Sequence, residues 1–239
     1  SDWSSDVCSS DLWQKASIFG SRHLILIDEA HLVSTSGEGM YRSFLGDMRV
    51  ANPMARLVGL TATPYRTGEG SLTGPEKLFQ GVSYEAKIPA LIREGFLSPI
   101  TSRPAEHSAD TSRLHIRGGE FIAGEVEQLF GEQALVKSAV AETVAKCDGR
   151  RSIILFCAGC EHAESVADEL RRLTNEEVGV VTGASLPMVR AESLKKFRSG
   201  ELRWLVNVDV LTTGFDAPGI DAIAVLRATC SPGLFAQIC

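Results

Sequence analysis

Short apolar runs alternate with helical patterns in the second half of this chain. After the first run, apolar side chains at 161–173 repeat on one helical face. A second helix is predicted between Ser185, a candidate N-cap, and Gly200, which lies just past its end. Strands that alternate with helices of about a dozen residues predict βαβ crossovers and a parallel sheet. The apolar runs predicted as strands are 153–157, 178–182, 204–208 and 222–226.

The first half contains two similar runs, at 23–27 and 56–60. Both are too short and too β-branched for helices, which favours strands buried on both faces. A third strand is predicted at 82–86 and a short helix at 88–94, with Gly95 as its left-handed stop.

Between residues 101 and 121 the periodicity fails, which indicates a connector or an irregular hairpin. Helical spacing resumes from 126 to 145. The pattern therefore predicts an α/β fold of two units joined by a helical connector. The predicted boundaries are a tail at 1–12, a first domain at 13–100, the connector at 101–135 and a second domain at 136–239.

Composition narrows the class of protein. The 239 residues are 44% hydrophobic and 23% charged, as in globular proteins with buried cores. No apolar run approaches the roughly 20 residues that span a bilayer, and no signal-peptide layout is visible, so we expect a cytoplasmic protein without membrane association. Six scattered cysteines do not make a disulfide framework. The net charge of −6 means that any nucleic-acid binding must use local groups.

The first twelve residues have neither helical nor strand periodicity. They resemble translated sequencing-adapter read-through, which is excluded from fold reasoning. The alternative is a natural disordered tail rich in Ser and Asp.

Polar residues follow three of the predicted strands. The tetrapeptide DEAH stands at 28–31 and TATP at 61–64, each directly after an apolar run. Carboxyl ends of strands in an open α/β sheet are where ligand chemistry is placed. In the second unit, the run near 204–208 leads into TTGFDAP at 212–218. Hydroxyls, a glycine and a carboxylate can bind phosphate and ribose there, although an Asx-type turn is an alternative.

These motifs, together with the FC…HA segment at 156–163, occur in the order and spacing of superfamily 2 DEAD/DEAH-box helicases. They resemble motifs II, III, IV and V of that group, and the resemblance covers residues 13 to 239. Its nearest form is similar to the bacterial RadD-like DNA-repair helicases. The resemblance implies two RecA-like parallel-sheet domains, the first truncated at its N-terminus and the second at its C-terminus.

The resemblance also implies a function. It points to a fragment of an ATP-dependent helicase or translocase that acts on nucleic acid, DNA rather than RNA, in repair, with ATP and Mg²⁺ as cofactors. Protein partners are unknown. The family's GK[ST] loop and its late arginine finger are not found in this sequence, so we expect the chain as given to be inactive. Two alternatives stay open: the translocating subunit of a restriction system, or a catalytically silent nucleic-acid-binding module.

The family's roles transfer first to residues of the first domain. Asp28 would hold Mg²⁺, through water because that ion dehydrates reluctantly. Glu29 would orient and deprotonate the attacking water, and His31 would link this site to the partner domain. Thr61 and Thr63 would couple hydrolysis to the grip on nucleic acid; a strand-end cap is their alternative.

Further residues of the second domain receive roles from the same resemblance. Hydroxyl and backbone N–H donors would contact strand phosphates without adding charge. The nucleotide would be reached across a cleft by Gly214, Asp216 and Gln237, and nucleic acid would be contacted by Thr182, Gly183 and Thr212.

Cys157 and Cys160 form a CxxC pair between a predicted strand and a helix. We interpret them as structural or close to nucleic acid, because a redox pair needs one thiol with a depressed pKa. His162 is expected to pack or cap rather than bind metal.

Overall fold

The computed structural model describes residues 16–34, 39–66, 70–106, 109–117, 119–211, 215 and 217–238. The chain divides into two units, Ser1–Pro99 and Ile100–Cys239. Each unit is described by itself below.

The first unit is organised around two parallel strands. Strand β1 (Leu24–Ile27) pairs with β2 (Arg56–Gly59), with Leu24 opposite Arg56 and Ile27 opposite Gly59. Helix α1 (Met40–Ala51) lies between them in the chain and buries Leu45 and Met48. Further elements are a hairpin of two-residue strands, β3 (Tyr65–Arg66) with β4 (Gly70–Ser71), and helix α2 (Ile88–Arg93).

Two expectations for this unit were wrong. The run at 82–86 forms no strand, and all five residues are exposed. Strand β1 is not buried on both faces either: Leu24 and Leu26 are exposed, and the alternate residues are only half-buried. The short helix, by contrast, forms over 88–93, and Gly95 follows it at φ +79° as expected.

The segment predicted as a connector belongs to the second unit. It contains a short antiparallel hairpin, β5 (Ile116–Arg117) with β6 (Glu120–Phe121), and helix α3 (Ala123–Phe130). Helix α4 (Gln133–Lys146) follows directly. Of the predicted stretch 101–121, the strands at 116–117 and 120–121 therefore form a hairpin, and the connector role stays a prediction.

Four parallel strands form the sheet of the second unit, in the order β10-β7-β9-β8, as the alternation predicted. Helices pack on both faces, which is the usual arrangement for an all-parallel sheet. The strands are β7 (Ile153–Cys157), β8 (Val178–Val181), β9 (Trp204–Asn207) and β10 (Ala222–Leu226). The remaining helices are α5 (Cys160–Thr174), α6 (Pro187–Ser199) and α7 (Pro232–Ile238).

The core of this unit lies in two layers, one on each face of the sheet. Alternate residues of β7 contribute to each, so Leu155 packs with helices α4 and α5, while Ile154 packs with Phe197 of α6. Fully burying one such side chain stabilises the fold by about 1.5–3 kcal/mol.

The start of helix α6 differs from expectation. Its N-cap is Leu186, which makes no side-chain cap. Ser185 instead accepts a hydrogen bond at Oγ from the N–H of Thr182, at 2.9 Å. The hydroxyl therefore stabilises the turn after β8 rather than the helix. Among the described residues, no helix combines the length and the apolar character that crossing a membrane requires.

Candidate functional site

The DEAH segment turns sharply at the end of β1. Glu29 has φ 47° and ψ 48°, the left-handed region, which costs a non-glycine residue roughly 1–2 kcal/mol. Its N–H donates to Asp28 Oδ1 at 2.9 Å, which stabilises the turn. Backbone strain of this kind is concentrated at functional sites, where the surrounding structure holds it in place.

Two backbone hydrogen bonds tie this turn to the end of β2. Ala30 N–H donates to Leu60 O at 2.9 Å, and Leu60 N–H donates to Ile27 O at 2.8 Å. The approach is close enough to require glycine at position 59, because an added Cβ would lie 2.8 Å from Ala30 Cβ and 2.6 Å from the Phe79 ring. The DEAH and TATP segments are therefore held side by side.

His31 joins the two segments through side chains. Its Nδ1 lies 2.9 Å from Thr61 Oγ1 and 3.3 Å from Glu29 Oε2. Thr61 Oγ1 in turn accepts from the N–H of Thr63 and donates to Thr63 O, both at 3.1 Å. Since a hydroxyl has a single proton, His31 Nδ1 carries the hydrogen in its bond to Thr61 when that proton goes to Thr63 O.

The structure thus brings Glu29, His31, Thr61 and Thr63 into one chain of contacts. The Thr61 hydroxyl also caps its own turn. It therefore fits the interpretation as a strand-end cap, and the proposed coupling role would use the same hydroxyl. The functional roles of these four residues stay predictions.

Asp28 is suited to a hydrated cation. Its side chain is exposed, and one carboxylate oxygen accepts from Glu29 N–H. Mg²⁺ is commonly bound by one or two carboxylates while it keeps several waters. Among the described residues, no group of three or more His, Cys, Asp or Glu side chains forms a metal cage. A single carboxylate with bridging water fits this geometry.

Thr182 and Gly183 lie after β8, at the carboxyl edge of the second sheet. Thr182 is buried, and its Oγ1 accepts from Ala184 N–H at 3.3 Å, while Arg190 Nη2 donates to its carbonyl at 3.0 Å. Gly183 is exposed, and no atom lies within 4 Å of the position that a Cβ would occupy. The backbone at Gly183 is therefore open to a phosphate, whereas the Thr182 hydroxyl lies within its own turn.

The remaining candidate residues are not all visible. Thr212, Gly214 and Asp216 lie outside the described residues, as does the side chain of Gln237, whose backbone belongs to α7. The proposed nucleotide contacts of the second domain, and a cleft between the units, stay predictions.

The sequence interpretation missed an ion pair at the same edge. Arg227 directly follows β10, and its Nη1 bonds Oδ1 of Asp209, a residue with φ 53° just past β9. The Arg227 side chain is only 13% exposed. The sequence did contain a signal for this pair, because Asp209 and Arg227 each stand immediately after an apolar run, at 204–208 and 222–226.

The CxxC pair does not resemble a redox centre. Burial raises the pKa of the Cys157 thiol to about 12, which disfavours the reactive thiolate. His162 is buried, and its Nδ1 accepts from Ala158 N–H at 3.1 Å. Burial lowers the pKa of His162 to about 4, despite the nearby Glu127. The prediction that His162 packs and caps is confirmed.

Comparison with known proteins finds a family match for part of this chain. Residues 135–239 match the family described as the helicase conserved C-terminal domain. The chain is 29% identical over 227 residues to a 51.5 kDa protein of a Lactococcus phage, covering 93% of this chain and 46% of the relative. It is 25% identical over 222 residues to a Saccharomyces cerevisiae protein named as ATP-dependent helicase IRC3, covering 91% and 31%.

Solved structures give the same fold. A fragment of an HsdR subunit of a type I restriction enzyme from Vibrio vulnificus superposes with a TM-score of 0.63 at 22% identity, over 90% of this chain and 39% of that one. The Mycobacterium smegmatis helicase Lhr, bound to single-stranded DNA and AMP-PNP, gives 0.53 at 15% identity, over 90% and 26%.

Residues 135–239 therefore match the helicase conserved C-terminal domain, and the solved helicase and restriction-enzyme structures share the α/β fold of this chain. The chain spans less than half the length of the curated relatives it matches.

Proposed function

We propose that this chain is part of an ATP-dependent helicase or translocase of the RadD-like group, which acts on DNA in repair. The observation that carries the proposal is the contact chain from Glu29 through His31 to Thr61 and Thr63. It joins a carboxylate suited to hydrolysis to a turn on the neighbouring strand. Such a connection is what coupling of hydrolysis to movement requires.

The hydrolytic role follows from where the carboxylates lie. Phosphoryl transfer to water depends mainly on positioning and electrostatics, and Mg²⁺ supplies charge neutralisation at the β- and γ-phosphates. Asp28 would hold the hydrated ion, and Glu29 would orient the attacking water and accept its proton. His31 would sense the state of Glu29 through the 3.3 Å contact and pass it to Thr61.

Nucleic acid would be held by neutral donors at the edge of the second sheet. The open backbone at Gly183 supports this assignment, with Thr182 shaping the turn and Thr212 as a further proposed donor. Binding through a few neutral contacts suits a chain with a net charge of −6. We expect its affinity to depend weakly on salt, because few counterions are released.

The restriction-translocase alternative stays open. The likeness to the HsdR fragment lies below 25% identity and shows only a common fold. Strand separation distinguishes the two functions: a helicase displaces an annealed strand, whereas a restriction translocase moves along duplex DNA without releasing one. Inactivity of the isolated 239-residue chain also stays a prediction.

The test uses the full-length protein that contains this chain. ATP hydrolysis is measured alone and with single-stranded DNA, duplex DNA or single-stranded RNA, and DNA is expected to stimulate most. Glu29→Gln should lower turnover by about 10²–10⁴-fold while nucleotide binding is retained, because the amide keeps the shape but loses the base. Asp28→Ala should weaken Mg²⁺-ATP binding as well.

Glu85→Gln is the matched control, because Glu85 is an exposed carboxylate of the same unit away from the DEAH turn. It should leave turnover unchanged. Steady hydrolysis by the Glu29→Gln protein, or equal loss of nucleotide binding in both DEAH variants, would contradict the proposal.

A further inference from the structure

Glu120 makes an unusual set of contacts for a residue of a two-residue strand. Its carboxylate accepts from Cys230 N–H at 2.7 Å, from Ser231 N–H at 3.2 Å and from the Thr229 hydroxyl. It also accepts from the N–H of the adjacent Phe121 at 2.9 Å. The three distant partners lie 109–111 positions further along the chain, immediately before helix α7.

These partners form the start of that helix. The first N–H groups of a helix have no partner within it and need a cap. Ser231 is in the N-cap position, because its carbonyl accepts from Phe235 N–H at 3.1 Å and its Oγ accepts from Leu234 N–H at 3.2 Å. In a capping box, a Glu three residues later takes the N–H of the N-cap residue. Here Glu120, which lies on a separate hairpin, shares that N–H with Thr229 Oγ1, which accepts it at 3.0 Å.

The charge state of Glu120 agrees with this geometry. Burial raises the pKa of Glu120, but the hydrogen bonds from Thr229, Cys230, Phe121 and Ser231 together outweigh burial and leave the pKa below its usual value. The carboxylate is therefore ionised near neutral pH. A negative charge at a helix N-terminus is stabilised by the helix dipole.

A second carboxylate of the same segment acts similarly on a neighbouring helix. Glu127 of α3 accepts at Oε1 from Glu161 N–H, in the first turn of α5, at 3.0 Å. Gly159 is the N-cap of α5 and has no side chain, and an added Cβ would lie 2.0 Å from the Glu127 carboxylate. Helices α5 and α7 follow β7 and β10, which are adjacent in the sheet. The stretch that was predicted as a connector thus provides carboxylate acceptors at the starts of two helices, α5 and α7.

We propose that Glu120 is a positioning residue that fixes the start, and therefore the direction, of helix α7, on which Gln237 lies. The effect on turnover rests on the proposed function together with the expectation that Gln237 reaches the nucleotide. A seven-residue helix is about 10 Å long, so a small tilt at Ser231 moves its far end by an ångström or more. Displacements of about 1 Å can reduce catalytic rates by about 100-fold.

The experiment compares Glu120→Gln with wild type in the full-length protein. Amide hydrogen exchange at Cys230 and Ser231 should become on the order of tenfold faster, because an uncharged amide is a weaker acceptor. The kcat for ATP should fall roughly 10- to 100-fold while the KM for ATP and the affinity for DNA are unchanged. Glu120→Asp keeps the charge and should restore part of the kcat.

The matched control is Glu125→Gln. Glu125 accepts from His115 N–H at 2.7 Å, within the same segment, and the hydrogen bonds that its carboxylate makes within the described part of the chain go to His115 rather than to helix α7. It should leave exchange at Cys230 and Ser231 and the kcat unchanged. If Glu120→Gln does not fold, Thr229→Val removes one donor to Glu120 and also an acceptor of Ser231 N–H at 3.0 Å, so the measurement is exchange at Cys230, which should change less and in the same direction.

The outcomes separate this proposal from the proposed function. Unchanged exchange at Cys230 and Ser231, or an equal effect of Glu125→Gln, would overturn the positioning role. Faster exchange with KM and kcat altered together would overturn its specificity for turnover. If the wild-type protein does not hydrolyse ATP with any nucleic acid, the proposed function fails, and the exchange measurement still decides whether Glu120 fixes the helix.

Discussion

Two parallel strands of similar composition lie in very different surroundings in the two units. Strand β1 reads LILI and β7 reads IILFC, and both would be taken for core strands. All five residues of β7 are buried, between helices on both faces, whereas β1 alternates exposed and half-buried side chains and, within the described residues, pairs with β2 alone. The candidate catalytic carboxylates follow the less buried strand.

This difference separates the most deeply buried part of the chain from the candidate catalytic turn. The second unit has a layered core and helix starts capped from a distance by Glu120 and Glu127. The DEAH turn is instead fixed by local hydrogen bonds and by the glycine at position 59. The proposed chemistry would therefore depend on a short network that a few substitutions should break, whereas the fold of the second unit depends on its buried sheet.

The largest expected effect compares one leucine in each unit. Leu155→Ala should lower the free energy of unfolding of the second unit by about 2–5 kcal/mol, because it leaves a cavity in a fully buried layer. Leu26→Ala should change the first unit by less than about 0.5 kcal/mol, because Leu26 is 60% exposed. Hydrogen exchange with mass spectrometry reads the two units separately. Equal losses would refute the contrast in burial.

The next largest effect is a loss of stability of the second unit at acidic pH. His162 titrates near pH 4 in the folded chain and at its ordinary value of 6.5 when unfolded, so its contribution to stability is complete above pH 6.5. It is lost as pH falls from 6.5 to 4, by up to about 3 kcal/mol, because unfolding then takes up a proton. Chemical denaturation at several pH values measures the slope.

His162→Gln should flatten that slope, because an amide does not titrate between pH 4 and 6.5. Its oxygen can still accept from Ala158 N–H, so the local structure should be kept. His115→Gln is the control, because His115 is exposed and its ring lies against the carboxylate of Glu125 rather than in the core. A slope that both variants leave intact would assign the acid loss to other groups.

The elements of the second unit were predictable because each is decided by its own residues. Strands β7 and β10 begin and end where the apolar runs do, and helix α6 stops at Gly200 with φ +80°. The run at 82–86 failed because a strand needs a partner as well as an apolar pattern.

Long-range contacts were beyond a sequence pattern. The role of Glu120 depends on partners more than 100 positions away, so local periodicity could indicate only a hairpin. DEAH lies beside TATP because both follow strands that pair in parallel, and the carboxyl ends of such strands meet at one edge. The chain of hydrogen bonds through His31 adds what spacing cannot give, namely which atoms touch.

The smallest expected effect tests that chain directly. Thr63 is 3% exposed, and its N–H donates to Thr61 Oγ1. Thr61→Val should leave this N–H without its acceptor and cost about 1 kcal/mol locally, which corresponds to roughly fivefold faster amide exchange at Thr63. Thr61→Ser keeps the hydroxyl and should exchange like wild type. Unchanged exchange in Thr61→Val would mean that the backbone bond from Ala30 to Leu60 holds the two turns together, and His31 would then have no route to Thr63.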